Sequence, residues 1–197
     1  LLLVHPNFPA KNVTEFLEVI KKNPSKFNFS SSGSGSTQHL SGEMLNLMLK
    51  TSLTHIPYKG TSPSLTALAS GEVDFSFSNI PAAQPLLGPG RIRAIGITSA
   101  KRSPLLPNLQ TMIEGGLPGF VTQTWYGILA PAGTPDSAVK ILNSTVVKAV
   151  QKEDFRARLA QLGADPIAEP PEYFRKMLAE EIERWGKVVR ASKAKPD

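Results

Sequence analysis

FNFSSSGSGSTQHLSGEML, residues 27–45, passes from an apolar segment through a serine- and glycine-rich stretch into a run of leucine and methionine. Three readings compete for it: a flexible spacer, a catalytic loop around Ser34 and His39, or a cradle for an anion. Lys26–Ser31 has the composition of a short strand. Leu40, Met44, Leu47 and Met48 recur at helical spacing, which predicts a helix starting near Ser36 or Thr37. A strand, a glycine-rich turn and a helix start in that order form a ready anion site. The first-turn N–H groups lack intrahelical acceptors, and the helix dipole adds partial positive charge. Gly33 and Gly35 permit close approach, while Ser32, Ser34, Ser36 and Thr37 add hydroxyl groups.

The same grammar continues on both sides. Asn12-Val13-Thr14-Glu15 is a capping-box pattern ahead of the apolar stripe Val13, Phe16, Leu17 and Ile20. Downstream, Ser52–Tyr58 reads as a strand, Ser62-Pro63 as a helix cap with a first-turn proline, and Gly71 as the end of that helix. Val73, Phe75 and Phe77 alternate with Asp74, Ser76 and Ser78, a period of two. Asn79-Ile80-Pro81 opens a helix closed by Gly88-Pro89-Gly90, and Arg91–Thr98 is a further strand. Strand, turn and helix repeated in this way predict an α/β domain with a largely parallel sheet. Arg102–Phe120 reads as a long surface connection with a helical turn at Thr111–Glu114, and Val121–Leu129 as a strand. Helices follow over 135–152, Asp154–Leu162 and Pro171–Ala191, with a short strand at Leu162–Ala168.

Composition narrows the chemistry. The 197 residues are 41% apolar and 19% charged, an ordinary globular balance, and no uncharged apolar run is long enough to span a membrane. Cysteine is absent, which removes disulfides and thiolate nucleophiles and fits an extracytoplasmic protein. The net charge of +6 is dispersed: residues 1–134 hold ten Lys/Arg against six Asp/Glu, and residues 135–197 twelve against ten. With aromatics at 7% and no basic stripe, nucleic acid is not expected as a partner, whereas a mild positive field suits small acidic ligands.

Candidate sites gather at strand ends. The Ser32–Thr37 loop and His39 follow the first of them. His55–Gly60 (HIPYKG) brings Tyr58, Lys59 and Gly60 to the same sheet edge, and Ser78-Asn79 ends the alternating strand there. The loop lacks the GxxxxGK[ST] pattern of a nucleotide-binding P-loop and the GxSxG pattern of a nucleophile elbow. A Ser34–His39 hydrolase, with Asp74 as third member, is the catalytic alternative. Three histidines form no metal cluster, and no cofactor or metal is expected. Strand ends bearing neutral or cationic donors describe a binding crevice more readily than an acid, a base and a nucleophile. Trp125-Tyr126 reads as hinge packing.

The ordered series SSGSGSTQHLSGEML, HIPYKG, SGEVDFSFSNIPAAQPLL, IGITSAKRSPLLPNLQTMIEGGLPGF, WYGILAPAGTP, LGADPI and EIERWGKVV resembles the Bug-type periplasmic solute receptors of tripartite tricarboxylate transporters, across essentially the whole chain. The resemblance implies a two-lobed, Venus-flytrap periplasmic binding protein of type II, with one lobe complete here and the first lobe partial. Residues 1–6 would be a crossing strand from the first lobe and 7–122 the complete second lobe. Residues 123–197 would hold the return crossing strand (Gln123–Ala130) and the C-terminal part of the first lobe. Further residues ahead of Leu1, including a signal peptide, are expected.

The implied function is capture of a small carboxylate in the interlobe cleft and its delivery to membrane transporter subunits. The ligand would be a di- or tricarboxylate, another organic acid or an acidic amino acid. The receptor is expected to act in the periplasm as a monomer, without catalysis, and a sensor with the same cleft is the alternative. The ligand set carried over is Ser32, Gly33, Ser34, Gly35, Ser36, Thr37, His39, Tyr58, Lys59, Gly60, Ser78 and Asn79. Ser78 stands where the family commonly has Asp, which tilts the expectation from an amino acid toward a simple acid.

Overall fold

The computed structural model describes residues 1–192 and 194. The chain divides into two compact units: Leu1–Thr124 together with the chain from Lys187, and Trp125–Gly186.

The first unit is built on a five-stranded sheet. Its strands are β1 (Leu2–Val4), β2 (Asn28–Ser31), β3 (Thr54–Pro57), β4 (Phe75–Phe77) and β5 (Arg93–Gly96), in the order β3-β2-β4-β1-β5. β2 pairs in parallel with β3 and β4, as expected, but β1 runs antiparallel between β4 and β5. Four helices connect the strands: α1 (Val13–Lys22), α2 (Thr37–Leu49), α3 (Thr61–Ser70) and α4 (Ile80–Leu87). Because β2, β3 and β4 point the same way, α2, α3 and α4 all begin at one sheet edge. α1 follows the reversed strand β1 and begins at the opposite edge.

The pleat sends alternate residues to two cores. Phe29, Phe75 and Phe77 join Leu2, Val4 and Ile95 under α1 and α2, against Val13, Phe16, Ile20 and Leu45. Phe29 and Phe75 stack at 5.5 Å, and Phe16 meets Phe75 edge-on at 5.2 Å. On the other side Leu1, Leu3 and Ile97 pack with Leu65, Leu68 and Ala83 of α3 and α4. The serines interleaved with the phenylalanines do not face water. Ser30, Ser64 and Ser76 are buried, and they satisfy one another: Ser64 Oγ donates to Ser30 Oγ (2.8 Å) and Ser76 Oγ to the Ser30 carbonyl (3.0 Å).

Local signals account for several boundaries. Asn12 caps α1, its Oδ1 accepting the Glu15 N–H at 2.9 Å, while Glu15 Oε2 accepts the N–H of Lys11, one residue ahead of the cap, at 2.7 Å, a variant of the expected box. Asn79 caps α4 through the Ala82 N–H at 3.0 Å. α3 starts two residues earlier than Ser62-Pro63 suggests. Its cap is Gly60, whose φ of 115° turns the chain and lets its N–H reach the Ser32 carbonyl (3.1 Å).

Two other expectations are corrected. The Arg102–Phe120 segment is not a simple surface connection, because Met112, Leu117 and Phe120 are buried in the first core. Its outer side is fixed by Glu114, which accepts the Thr111 N–H and pairs with Arg102, so its carboxyl lies below the usual range. No strand is described at Val121–Leu129 or Leu162–Ala168, both expected as strands. A strand exists only against a partner, and in the first unit this stretch makes the bond Thr122 N–H to Thr98 carbonyl and no ladder.

The second unit holds α5 (Asp136–Val150), α6 (Glu153–Gln161) and α7 (Pro171–Ser192), the last passing into the first unit at Lys187. None of its described residues is buried. Trp125 packs edge-on against Phe174 at 5.5 Å, as an aromatic pair used for packing would, whereas Tyr126 is 86% exposed.

Candidate functional site

The β2–α2 connection is held by a dense set of bonds around Ser31 and Gly33. The Ser31 Oγ accepts the Gly33 N–H (3.1 Å), and the Gly33 carbonyl accepts from Ser36 Oγ (2.7 Å) and Ser36 N–H (3.2 Å). Gly33 and Gly35 sit at φ 134° and 79°, conformations that other residues strongly disfavour. Ser36 caps α2 and accepts the His39 N–H at 3.3 Å. Ahead of it, the Gly35 N–H donates to His39 Nδ1 at 3.0 Å. The next two amides, of Thr37 and Gln38, meet no acceptor among the described residues. They leave a helix start whose donors are available to an anion.

The β3–α3 connection is stitched to this loop. Tyr58 N–H donates to the Ser31 carbonyl (3.0 Å) and Gly60 N–H to the Ser32 carbonyl. Gln38 links both, accepting from Ser32 Oγ at 2.7 Å and donating to Thr61 Oγ1 at 3.3 Å. The sheet register pairs Ser30 with Ser76, and continuing it sets Ser78 beside Ser32. The loops carrying Ser32–Thr37, Tyr58–Gly60 and Ser78-Asn79 therefore share one sheet edge.

Within that edge the candidate side chains differ in what they can offer. Lys59 is exposed and is the one cation in the set. The Tyr58 hydroxyl donates to Glu72 Oε1 at 2.7 Å. Desolvation, with that bond and the nearby carboxylate, pushes its pKa up to about 12, so the phenol stays neutral and its hydroxyl is taken up by Glu72. Asn79 uses Oδ1 for the cap of α4. Ser78 is 8% exposed and its Oγ is a buried hydroxyl with no partner among the described residues. Asp74 is not part of the site. It lies at the other end of β4 and exchanges bonds with Asn28, each side chain accepting the other's N–H (2.8 and 3.1 Å).

Sequence reasoning missed the layer beneath the loop. His39, almost fully buried, stacks on His55 with ring centroids 3.8 Å apart and planes within 9°. His55 Nε2 lies 2.6 Å from Ser31 Oγ, and His39 Nε2 is 3.7 Å from Glu43 Oε1. Ser36 followed three residues later by a side-chain acceptor is a capping-box spacing, and that was the signal available for His39. Nothing local announces its meeting with His55, which depends on how β3 lies beside β2. Among the described residues no group of three or more His, Asp or Glu is arranged to hold a metal.

Comparison with known proteins places the chain in a family. Residues 1–193 match the model of the tripartite tricarboxylate transporter family receptor. Rpa4515 of Rhodopseudomonas palustris, solved with adipate, superposes with a TM-score of 0.86 at 36% identity, over 100% of this chain and 66% of its own. MatC (Rpa3494) of the same organism, solved with bound malate, gives 0.79 at 38% identity, over 96% and 65%. The periplasmic binding protein BugD gives 0.81 at 31% identity, over 100% and 66%. The chain spans 56% and 60% of the length of the first two curated relatives it matches.

Proposed function

The chain belongs to the tripartite tricarboxylate transporter receptor family, and from that membership we propose that it captures a small carboxylate, without chemical change, for delivery to membrane transporter subunits. The observation that carries the reading is the β2–α2 loop. Its glycines hold the chain at positive φ, the Ser31 and Ser36 hydroxyls are bound to Gly33, and the Thr37 and Gln38 amides remain as donors at the α2 start. Two such donors and the helix dipole suit an oxyanion that must be released again. Lys59 supplies an exposed positive charge at the same edge, and Ser78 adds a hydroxyl without a partner among the described residues. Relatives solved with adipate and with malate favour a dicarboxylate, and the periplasm is the compartment in which such a receptor works.

Isothermal titration of the full chain with malate, adipate and the diamide of adipic acid tests this. Saturable heat with an acid and none with the neutral diamide is the expected result. If no mono-, di- or tricarboxylate in a panel produces heat or raises the melting temperature, the reading is wrong.

A further inference from the structure

We propose that His39 positions the ligand loop by acting as a neutral hydrogen-bond acceptor, and that protonating it releases the loop. This rests on the carboxylate-binding reading for its ligand readout, but not for its structural one.

The geometry fixes the chemistry of the ring. A backbone N–H can only donate, so the Gly35 N–H on Nδ1 at 3.0 Å requires that nitrogen to carry a lone pair. The imidazole is then neutral with its proton on Nε2, toward Glu43. His39 occupies the third position of α2, and its side chain reaches back to the N–H preceding the cap residue Ser36. α1 does the same with Glu15, whose carboxylate accepts the Lys11 N–H preceding the cap residue Asn12. The two helix starts use one device with different acceptors, a carboxylate at the far edge of the sheet and an imidazole behind the candidate ligand loop.

Protonation would place an N–H on Nδ1 against the Gly35 N–H, two donors facing each other, and Gly35 would have to turn away. Gly35 stands at φ 79° between Gly33 and the cap Ser36, so that turn re-aims the first amides of α2. The surroundings resist a charge on His39 without forbidding one. His55 of β3 stacks on it, so the two rings do not readily hold two protons. Glu43 of α2 is the nearby carboxylate, and burial raises its pKa. β2 (Asn28–Ser31), β4 (Phe75–Phe77) and α3 (Thr61–Ser70) contribute no titratable side chain within their ranges. α7, whose Ala191 and Ser192 line a surface hollow with Glu43, brings Lys187 and Arg190 on its last turns.

The test compares the parent chain with His39→Gln, which keeps an acceptor that does not titrate, and His39→Leu, which removes it. Malate affinity is measured at about pH 8 and about pH 5, either side of the ordinary imidazole range. The parent is expected to weaken about tenfold on acidification, a change of about 1.4 kcal/mol. The Gln variant, which keeps an acceptor but not the ring stacked on His55, should bind more tightly than Leu at both pH values and lose the pH dependence, and the Leu variant should be weak at both.

In parallel, the Gly35 amide and His39 imidazole resonances of the ligand-free protein are followed by NMR and should shift together. A Leu variant that binds like the parent overturns the proposal. So does a Gln variant as weak as Leu, or a Gly35 amide that ignores His39 titration. If Leu fails to fold, the Gln variant and the resonances still decide. If no carboxylate binds at either pH, the functional reading falls while the Gly35 signal continues to test His39.

Discussion

Replacing Gly35 with valine separates the loop as a ligand site from the loop as a piece of fold. Gly35 has φ 79°, where an L-residue pays about 1–2 kcal/mol and a β-branched one more. For a chain of this size each kcal/mol lowers the melting temperature by about 2–4 °C, so a drop of roughly 2–8 °C is expected and the protein stays folded. The loop escapes the strain by returning φ to negative values, which pulls the Gly35 N–H from His39 and swings the peptide leading into the Ser36 cap. The Thr37 and Gln38 amides then point elsewhere.

If each contributes about 1.5–3 kcal/mol to a bound carboxylate, losing both weakens binding by about two powers of ten or more. Titration calorimetry with malate reads the affinity and a thermal melt reads the fold. Gly90→Val is the control: Gly90 has φ 69° with open space around it, beyond the end of α4, so it pays a similar backbone penalty away from the ligand edge. Should Gly35→Val lower the melting temperature as Gly90→Val does yet bind within about twofold of the parent, the α2 start is not where the carboxylate sits.

Two further perturbations test the frame behind the site. A Cβ on Gly42 would overlap the Phe29 ring, so Gly42→Ala should destabilise by about 1–3 kcal/mol or more by pushing α2 off β2, read as a fall in melting temperature. A variant as stable as the parent would show that α2 does not rest on Phe29. Desolvation and the bond to the Glu72 carboxylate push the Tyr58 pKa up to about 12, so its stabilisation is complete below about pH 10 and fades as pH rises through 12. An ultraviolet titration of the three tyrosines should show one late step that Tyr58→Phe deletes and Glu72→Gln moves to lower pH; a late step surviving in Tyr58→Phe assigns it elsewhere.

The parts of this molecule written in short-range chemistry could be read directly. The Asn12–Glu15 box, the cap at Asn79 and the strand–loop–helix order around Gly33 and Gly35 are set by residues within a turn of one another. What escaped depends on distant pairing. Nothing in LLLV says that it will run antiparallel between β4 and β5, since both partners lie more than seventy residues away. The period of two in VDFSFS does not say what lies on the serine side, where α3 covers the sheet and the serines bond among themselves. Met112, Leu117 and Phe120 sit in a proline- and glycine-rich stretch that looks like surface until α1 is there to receive them. The strand expected at Val121–Leu129 failed for the converse reason, since β-branched and aromatic content creates no ladder without a neighbour.

A neutral acceptor behind the loop suits the proposed anion site. A glutamate at position 39 could accept the Gly35 N–H as Glu15 accepts the Lys11 N–H, but it would set a negative charge close to the amides proposed to bind an anion. At about 4 Å and an effective dielectric near 20, two like charges repel by roughly 4 kcal/mol, more than either amide returns. A glutamine would avoid the repulsion, yet it has no ring to stack on His55, and that stack continues through Ser31 to the Gly33 N–H. A neutral histidine meets both demands, accepting from Gly35 on one nitrogen while its face joins α2 to β3. The same ring that makes the cradle rigid thereby also makes it titratable. That is why the pH dependence of binding, and not its mere presence, is the sharper measure of how this edge works.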